Sequence, residues 1–299
     1  MGRELLLSLL IVLLGGLALQ PLCWLPAIDL SSASGQPLER RAWLRLWYPV
    51  LPALAVAAWL VGWTLTESDP VHDRLGSWVL LAACMPFALI FARAALRALW
   101  ALLREAPECG VFTSGLLQPL IVFSPLFAKQ LDDVVIGAAL AHEQAHARHR
   151  DPLRIWLAQL VTDLQWPWPW AQRRLGAWLI ALELSRDDEA RAHGAEGTDL
   201  ATAVLSSVRQ LSHPRGQHSA AFKGTAFAHA RLIGDPEVLR ERVSRLLAPL
   251  PSFALRDIAG DRYRQAAAPA LILLVLVAAG VLGVLYGERV MHPLLALTS

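Results

Sequence analysis

Charged side chains are scarce in this sequence, and cysteine and tyrosine are rarer still. Asp, Glu, Lys and Arg make up 17% of the 299 residues, hydrophobic residues make up 55%, and the mean hydropathy is +0.43. This composition excludes an ordinary soluble domain and is typical of an integral membrane protein. The three cysteines are an odd number, and two of them fall in apolar runs, so no disulfide framework is predicted.

Long apolar runs are what the sequence has instead. Four runs are long enough to cross roughly 30 Å of hydrocarbon at about 1.5 Å per residue, and they lie at 5–27, 46–66, 77–102 and 267–287. The first exceeds the apolar core of a usual signal peptide, and no clear A-x-A site follows it. We therefore predict a membrane span there rather than a cleaved leader.

The distribution of arginine predicts how these spans are oriented. Arginines are concentrated in the first loop, after the third span and before the fourth, whereas the second loop, ESDPVHDRLG, is acidic apart from Arg74. By the positive-inside rule, both termini are then outside and region 103–265 is cytoplasmic. The sequence thus predicts a mainly α-helical protein with three transmembrane helices in 1–102, a cytoplasmic region at 103–265, and a fourth span with a short external tail in 266–299.

Region 103–265 contains one β signal and several helical ones. GVFTS and PLIVF, within 109–125, predict a short hairpin around Gly115, which could pair with an extended substrate or simply cover the core. LDDVVIGAALAHEQAHARHR predicts a helix that begins at Asp132 or Asp133. Further helices are predicted for PLRIWLAQLVTDL, for AQRRLGAWLIALELSRDDEARAHG up to Gly194, for 199–211 and for EVLRERVSRLLAPL, with a loop at 212–224.

The H-E-x-x-H motif gives the strongest chemical signal. His142 and His146 are i and i+4 on the predicted helix, so both imidazoles can reach one ion at about 2.0–2.1 Å. Glu143 lies one residue round, where it can reach an attacking water molecule without being a ligand. The alternative for this pattern is a solvated helix face that is rich in His and Arg.

A catalytic zinc ion needs a third protein ligand and one open position. In ELSRDD, Glu183 and Asp187 are again i and i+4, so Glu183 could bind the ion while Asp187 orients a histidine through its other ring nitrogen. His193 and His149 are the competing ligands. His149 fits a polar helix face, and His193 could equally be a favourable cation at a helix C-terminus.

These residues predict metal-assisted peptide hydrolysis with one zinc ion. Zinc would acidify water and polarise the scissile carbonyl, while Glu143 would accept the proton and pass it to the leaving amine. A second oxyanion donor is often Tyr or His, and the chain has three tyrosines. Tyr263, His193 and an arginine all remain candidates.

Taken in order, these segments resemble a known family. SGLLQPLIVFSP, HEQAHARHRD and ELSRDDEA, together with four predicted spans, resemble the membrane metallopeptidase domain of the BlaR/MecR-type antirepressors over roughly 40–290. The resemblance implies a zincin-like, gluzincin-type fold with zinc ligands His142, His146 and Glu183, the general base Glu143, and supporting residues Asp187 and Asp151. Related HtpX-type proteases carry a similar H-E-x-x-H and E-x-x-x-D pair, which favours Glu183 over His193.

The resemblance also implies a biological role. We expect a multi-pass protease of a bacterial inner membrane that cuts a cytoplasmic protein, such as a winged-helix repressor, in a signalling pathway. Besides lipid, the expected partners are a second copy of the chain or a separate sensor protein, and no direct contact with nucleic acid is expected. The tail GERVMHPLLALTS contains no S-x-x-K, so we do not expect β-lactam sensing by this chain.

Three other functions compete with this one. An HtpX-like quality-control protease would use the same residues, and a non-proteolytic signal transducer could keep the fold without needing Glu143. A site-2-type intramembrane protease is disfavoured, because ARHRDPLR directly after the motif would place charges in hydrocarbon.

Two features are predicted to be unremarkable. Arg240, Arg242 and Arg245 lie on the last predicted cytoplasmic helix, where a solvated basic face is favoured over contact with anionic lipid. Cys109 is predicted to be an ordinary thiol rather than an inhibitory zinc ligand.

Overall fold

The computed structural model describes residues 36–66, 77–103, 111–123, 129, 131–166, 168–211, 236–249 and 254–296. These segments contain nine helices and one two-stranded antiparallel sheet. In chain order the elements are α1 Gln36–Trp47, α2 Leu51–Thr64, α3 Ser77–Leu103, β1 Val111–Ser114, β2 Leu120–Phe123, α4 Asp133–Arg148, α5 Asp151–Leu164, α6 Pro169–Ala192, α7 Gly197–Leu211, α8 Pro236–Leu247 and α9 Ala254–Ala296. The predicted mainly helical fold with one short hairpin is confirmed.

The prediction of four transmembrane helices is not supported. Within the described residues, one helical segment is long and apolar enough to cross a membrane, Ala270–Leu294 of α9, in the region of the fourth predicted span. The predicted span 5–27 lies outside those residues. In the predicted span 46–66, α2 has 14 residues and is about 21 Å long, which is short of the hydrocarbon thickness. It reaches sufficient length only together with α1, and the two helices are bent by 49°.

Helix α3 covers the third predicted span and is attached to α5 by charge. Arg93 and Arg97 both pair with Asp163, at 2.9 and 3.0 Å. The indole Nε1 of Trp156 donates a hydrogen bond to the carbonyl oxygen of Ala98 at 3.3 Å. The C-terminal half of α3 therefore has a polar protein neighbour on one side, which a hydropathy pattern does not reveal.

Helix α1 lies largely where a loop was predicted between the first two spans. Leu38, Ala42 and Leu46 recur every four residues and form an apolar stripe that is at most 1% exposed. The stripe packs against α5 and α6 in the largest core cluster of the described residues. From those two helices the cluster contains Ile155, Ala158, Val161, Leu175, Trp178, Leu179, Ala181 and Leu182. The segment's several arginines favoured the loop prediction and obscured this stripe.

The hairpin packs on the helix that carries the H-E-x-x-H motif. Its register pairs Val111 with Phe123 and Ser114 with Leu120. Gly115 turns the chain with φ +90°, and an added Cβ there would meet the carbonyl oxygen of Gln118 at 2.3 Å. Val111 packs against a small apolar cluster on α4 and α7. The first strand thus runs alongside α4, next to the candidate site.

Candidate metal centre

Helices α4 and α6 bring two histidines and a carboxylate together in the interior. His142, His146 and Glu183 are 5%, 0% and 1% exposed. The two Nε2 atoms are 3.1 Å apart, and the Glu183 oxygens lie 3.4 Å from His142 Nε2 and 3.6 Å from His146 Nε2. Of the side chains that the structure describes, this is the one group of His, Cys, Asp and Glu whose geometry could hold a metal ion.

The spacing of the donor atoms fits a small tetrahedral ion. Bonds of about 2.0–2.1 Å to a tetrahedral zinc ion place neighbouring ligand atoms about 3.3 Å apart. The closest separations run from 3.1 to 3.6 Å and lie near this value, with Glu183 Oε2 facing His142 and Glu183 Oε1 facing His146. Three protein ligands also leave a fourth position for water or substrate, as in hydrolytic zinc sites. The buried His–His–Glu group can therefore hold a metal ion.

Each histidine is oriented by a carboxylate at its other ring nitrogen. His142 Nδ1 lies 2.9 Å from Asp187 Oδ1, and His146 Nδ1 lies 2.9 Å from Asp151 Oδ2. A carboxylate at Nδ1 favours the tautomer in which Nδ1 carries the proton and Nε2 keeps its lone pair. Both lone pairs then face Glu183, which is the arrangement a metal ion requires.

A tight reversal between α4 and α5 returns the chain to His146. Arg150 joins the two helices in the left-handed region, at φ 52° and ψ 43°, a conformation that costs a non-glycine residue roughly 1–2 kcal/mol. Asp151 follows as the first residue of α5, five residues after His146 and fully buried. The reversal thus places the Asp151 carboxylate beside the histidine that precedes it on α4.

Burial and neighbouring charges have opposite effects on the pKa values of His142 and of the carboxylates that orient the two histidines. Burial disfavours a charged His142, but the hydrogen bonds and charges of Asp187 and Glu183 outweigh it and raise the His142 pKa to about 10. Without a metal ion this ring therefore carries a proton on both nitrogens, and a bound metal ion would displace the one on Nε2. Burial likewise opposes ionisation of Asp187, but Arg242 and His142 lower its pKa to about 2. The guanidinium of Arg186 holds the pKa of Asp151 well below its usual range despite complete burial. Both orienting carboxylates are therefore ionised at neutral pH.

Arg242 is a site residue that the sequence did not reveal. It is 6% exposed, and its Nε and Nη2 donate to the two oxygens of Asp187 at 2.7 and 2.9 Å. Its Nη1 lies 3.0 Å from Glu183 Oε2. The predicted solvated face is therefore wrong for Arg242, because α8 turns this side chain inward together with Leu246. The i+4 spacing to Leu246 was the available signal.

Glu143 lies beside the ligands and is held by the hairpin. Its side chain is buried, and the hydroxyl of Thr113 in β1 lies 2.7 Å from Glu143 Oε2 and 3.0 Å from the Glu143 carbonyl oxygen. Thr113 donates to either acceptor and is itself fully buried. This contact was not predicted, since a threonine in a strand carries no chemical signal on its own. It ties the hairpin to the motif helix at one defined residue.

The competing residues lie outside the cluster or outside the described part of the chain. His149 Nε2 is 2.8 Å from Glu189 Oε2, and His193 Nδ1 is 2.8 Å from the Glu189 carbonyl oxygen near the end of α6. Neither histidine belongs to the metal-binding group found among the described residues. The side chain of Tyr263 and all of Cys109 lie outside the described residues.

Comparisons with known proteins identify no relative of this chain. No family model, curated protein or solved structure matches the chain. The functional argument therefore depends on the site's own residues and on the sequence patterns that predicted them.

Proposed function

We propose that this chain is a membrane-bound zinc endopeptidase. The observation that carries the proposal is the buried His142–His146–Glu183 group, whose ligand atoms all lie within 4.8 Å of one another, with Glu143 alongside. Zinc is the proposed metal because two imidazoles and one carboxylate, with an open fourth position, are a donor set used by hydrolytic zinc enzymes. When bound, zinc lowers the pKa of water and polarises a peptide carbonyl.

In this proposal Glu143 acts as the general base. The hydrogen bond from Thr113 holds the Glu143 carboxylate in one orientation beside the ligands. It would take a proton from the attacking water and deliver it to the leaving amine, a role worth about 10²–10⁴-fold in rate. A non-catalytic signal transducer would need no carboxylate held at this position, so the Thr113 contact favours an enzyme.

Exposed apolar side chains support membrane attachment. On α9 they are more than half exposed and point to several sides of the helix: Leu271, Leu273, Leu274, Val277 and Leu285. A helix that is apolar on several exposed sides is stable where hydrocarbon surrounds it. With the arginine distribution of the sequence, this supports a bacterial inner-membrane protein whose site faces the cytoplasm.

The proposed substrate is a cytoplasmic protein, and the resemblance to antirepressors favours a winged-helix repressor. A quality-control protease of the HtpX kind would cut unfolded proteins of many sequences instead. Co-expression of the chain with a candidate repressor and with an unfolded reporter distinguishes the two, since the proposed enzyme cuts the first at one site and leaves the second intact.

Metal analysis combined with cleavage by purified full-length variants tests the proposal. We expect about one zinc ion per wild-type chain, and Glu143→Gln should keep that ion while losing cleavage by about 10²-fold or more. Glu183→Gln should lose the ion, whereas Asp188→Asn, on the same helix but paired with Arg245, should lose neither ion nor cleavage. Full cleavage by Glu143→Gln, or loss of zinc in His193→Ala but not in Glu183→Gln, would show that the assignment is wrong.

A further inference from the structure

We propose that Glu39 of α1 is a positioning residue for the metal ligand His146, acting through Arg154 and Asp151. The inference rests on the proposed metal site and adds a route by which a helix next to the membrane region can change that site. The route is a continuous chain of polar contacts whose members are buried except for Arg154, which is 23% exposed, and none of its outer members was predicted from the sequence.

Arg154 on α5 bridges the two carboxylates. Its Nη1 donates to Asp151 Oδ1 at 3.0 Å, and its Nη2 donates to the Glu39 carboxylate. The other oxygen of Asp151 lies 2.9 Å from His146 Nδ1. Glu39, Asp151 and His146 are at most 6% exposed, so water screens these contacts poorly.

The charges around Asp151 determine whether Glu39 strengthens or weakens His146 as a metal ligand. Asp151 accepts hydrogen bonds from Arg186 at 2.5 and 3.0 Å in addition to the one from Arg154. Two guanidinium groups on one carboxylate reduce its strength as an acceptor for His146 Nδ1–H. Glu39 offsets the charge of Arg154, so removing the charge of Glu39 should make the His146 imidazole a weaker metal ligand.

Aromatic rings surround the ion pair between Glu39 and Arg154 and reduce its screening by water. The Arg154 guanidinium lies over the rings of Trp43 and Trp178, 5.0 and 5.7 Å from their centroids. The indole Nε1 of Trp178 donates to Glu39 Oε1 at 2.9 Å. The ion pair therefore sits in an aromatic enclosure between α1, α5 and α6, where charge effects are larger than at a surface.

Helix α1 connects this contact to the candidate membrane helix. It leads into α2 through a 49° bend, and α2 packs closely against α9. An added Cβ at Gly62 would meet the Gly280 carbonyl oxygen at 2.1 Å, so the two backbones are nearly in contact. A displacement of the α2–α9 pair would move α1, and with it the carboxylate of Glu39.

Cobalt binding by the full-length chain in detergent tests this coupling without depending on catalysis. Co²⁺ affinity is measured by chelator competition at fixed pH, and the visible spectrum reports the ligand geometry. Asp151→Asn should lower the affinity by about 10–100-fold, as for other direct partners of metal-bound histidines, and Glu39→Gln by about 3–10-fold because it acts one contact further away. Glu39→Asp, which keeps the charge, should lie closer to wild type than Glu39→Gln.

Two controls separate coupling from a purely structural role. Asp163→Asn also breaks ion pairs of α5, those with Arg93 and Arg97. Among the described residues, the side-chain partners of Asp163 are these two arginines and Gln159, which lie outside the site, so the Co²⁺ affinity of this variant should match wild type. The double variant Glu39→Gln/Asp151→Asn should bind no more weakly than Asp151→Asn alone, since Glu39 acts through Asp151.

The outcomes distinguish the two levels of the proposal. If Glu39→Gln lowers the melting temperature of the metal-free protein but leaves Co²⁺ affinity and spectrum unchanged, Glu39 is only a structural contact and the coupling is wrong. A double variant with fully multiplicative losses would also overturn it. If wild type binds no Co²⁺, or if His146→Ala binds it equally well, the proposed metal site itself is wrong.

Discussion

Replacement of Arg242 by methionine is a strong test of the charge network around the candidate site. The Arg242 guanidinium contacts both oxygens of Asp187 and one oxygen of Glu183, all at 3.0 Å or less, and the side chain is 6% exposed. Methionine fills much of the same volume but leaves two buried carboxylates without their shared cation. Breaking a buried pair in this way costs about 3–5 kcal/mol. The unfolding free energy of the metal-free variant should fall by that amount.

Added metal should reverse part of this loss. A divalent ion at the site would lie beside Glu183 and would compensate the negative charge that Arg242 no longer balances. Any ligand that binds only the folded state stabilises it by RT ln(1 + [L]/Kd), about 2.7 kcal/mol at a hundredfold excess over Kd. We therefore expect zinc to raise the melting temperature of Arg242→Met by more than it raises that of wild type.

Thermal unfolding in detergent, with chelator and with zinc, measures both effects. Arg240→Met is the matched control, because Arg240 lies on the same helix and is exposed. It should change neither the metal-free stability nor the response to zinc. If Arg242→Met is as stable as Arg240→Met without metal, the ion pairs contribute nothing and the reasoning is refuted. A smaller zinc response than in wild type would refute the second step.

Other contacts give three more predictions. Thr113→Val removes the hydroxyl that holds Glu143, so kcat should fall about tenfold or more at unchanged zinc content; an effect on KM alone would contradict this. Burial opposes ionisation of Glu189, but its histidine and arginine neighbours lower its pKa from 4.5 to about 2. It therefore contributes stability that is present above pH 4.5 and is lost as the pH falls through about 2. In Glu189→Gln, the unfolding free energy should therefore decrease by up to about 3 kcal/mol less than in wild type when the pH is lowered from 4.5 to about 2. Identical acid denaturation curves for the two proteins would contradict this prediction. At Gly283 an added Cβ would meet a backbone oxygen of α2 at 2.0 Å, so Gly283→Val should lower the melting temperature. Gly176→Ala is the control, because no atom lies within 4 Å of its added Cβ, and it should raise the unfolding free energy by roughly 0.5–1 kcal/mol. Equal melting temperatures for Gly283→Val and Gly176→Ala would show that α2 and α9 do not pack closely.

The members of the metal-binding group could be predicted because each pair is local in the sequence. His142 and His146 lie one helical turn apart, and so do Glu183 and Asp187, so a spacing of four residues places each pair on one face. What spacing cannot predict is which two helices meet. The structure adds that α4 packs beside α6 in a register that brings all four side chains together.

The partners of Glu143, Asp187 and Glu39 could not be predicted because these contacts join distant segments. Thr113 is 30 residues from Glu143, Arg242 is 55 from Asp187, and Arg154 is 115 from Glu39. A charged residue in an amphipathic helix has the same local pattern whether its partner is water or a buried carboxylate. Only the tertiary packing distinguishes the two cases, and here it buries Arg242.

The described residues support fewer spans than hydropathy predicted, because hydropathy cannot distinguish lipid from protein as the apolar neighbour. Leu60 and Trp63 in the second predicted span are buried against Met291 of α9 rather than exposed along the helix. The apolar positions of α1 cover α5 and α6, although several arginines separate them. An apolar run predicts burial, and the rest of the fold decides what provides it.

The two candidate ligand histidines are held by separate networks, and this separation has a consequence for regulation. Asp187 orients His142 and is anchored by Arg242 of α8, whereas Asp151 orients His146 and is linked through Arg154 to α1. The polar contacts of Glu39 reach the metal-binding group through His146, and the apolar stripe of α1 also packs on α6, the helix that carries Glu183. In the proposed coupling, a change at Glu39 would therefore weaken the His146 ligand, whereas His142 is oriented by the separate Arg242–Asp187 contact. On this proposal, a change at Glu39 would lower metal affinity several-fold rather than abolish the site.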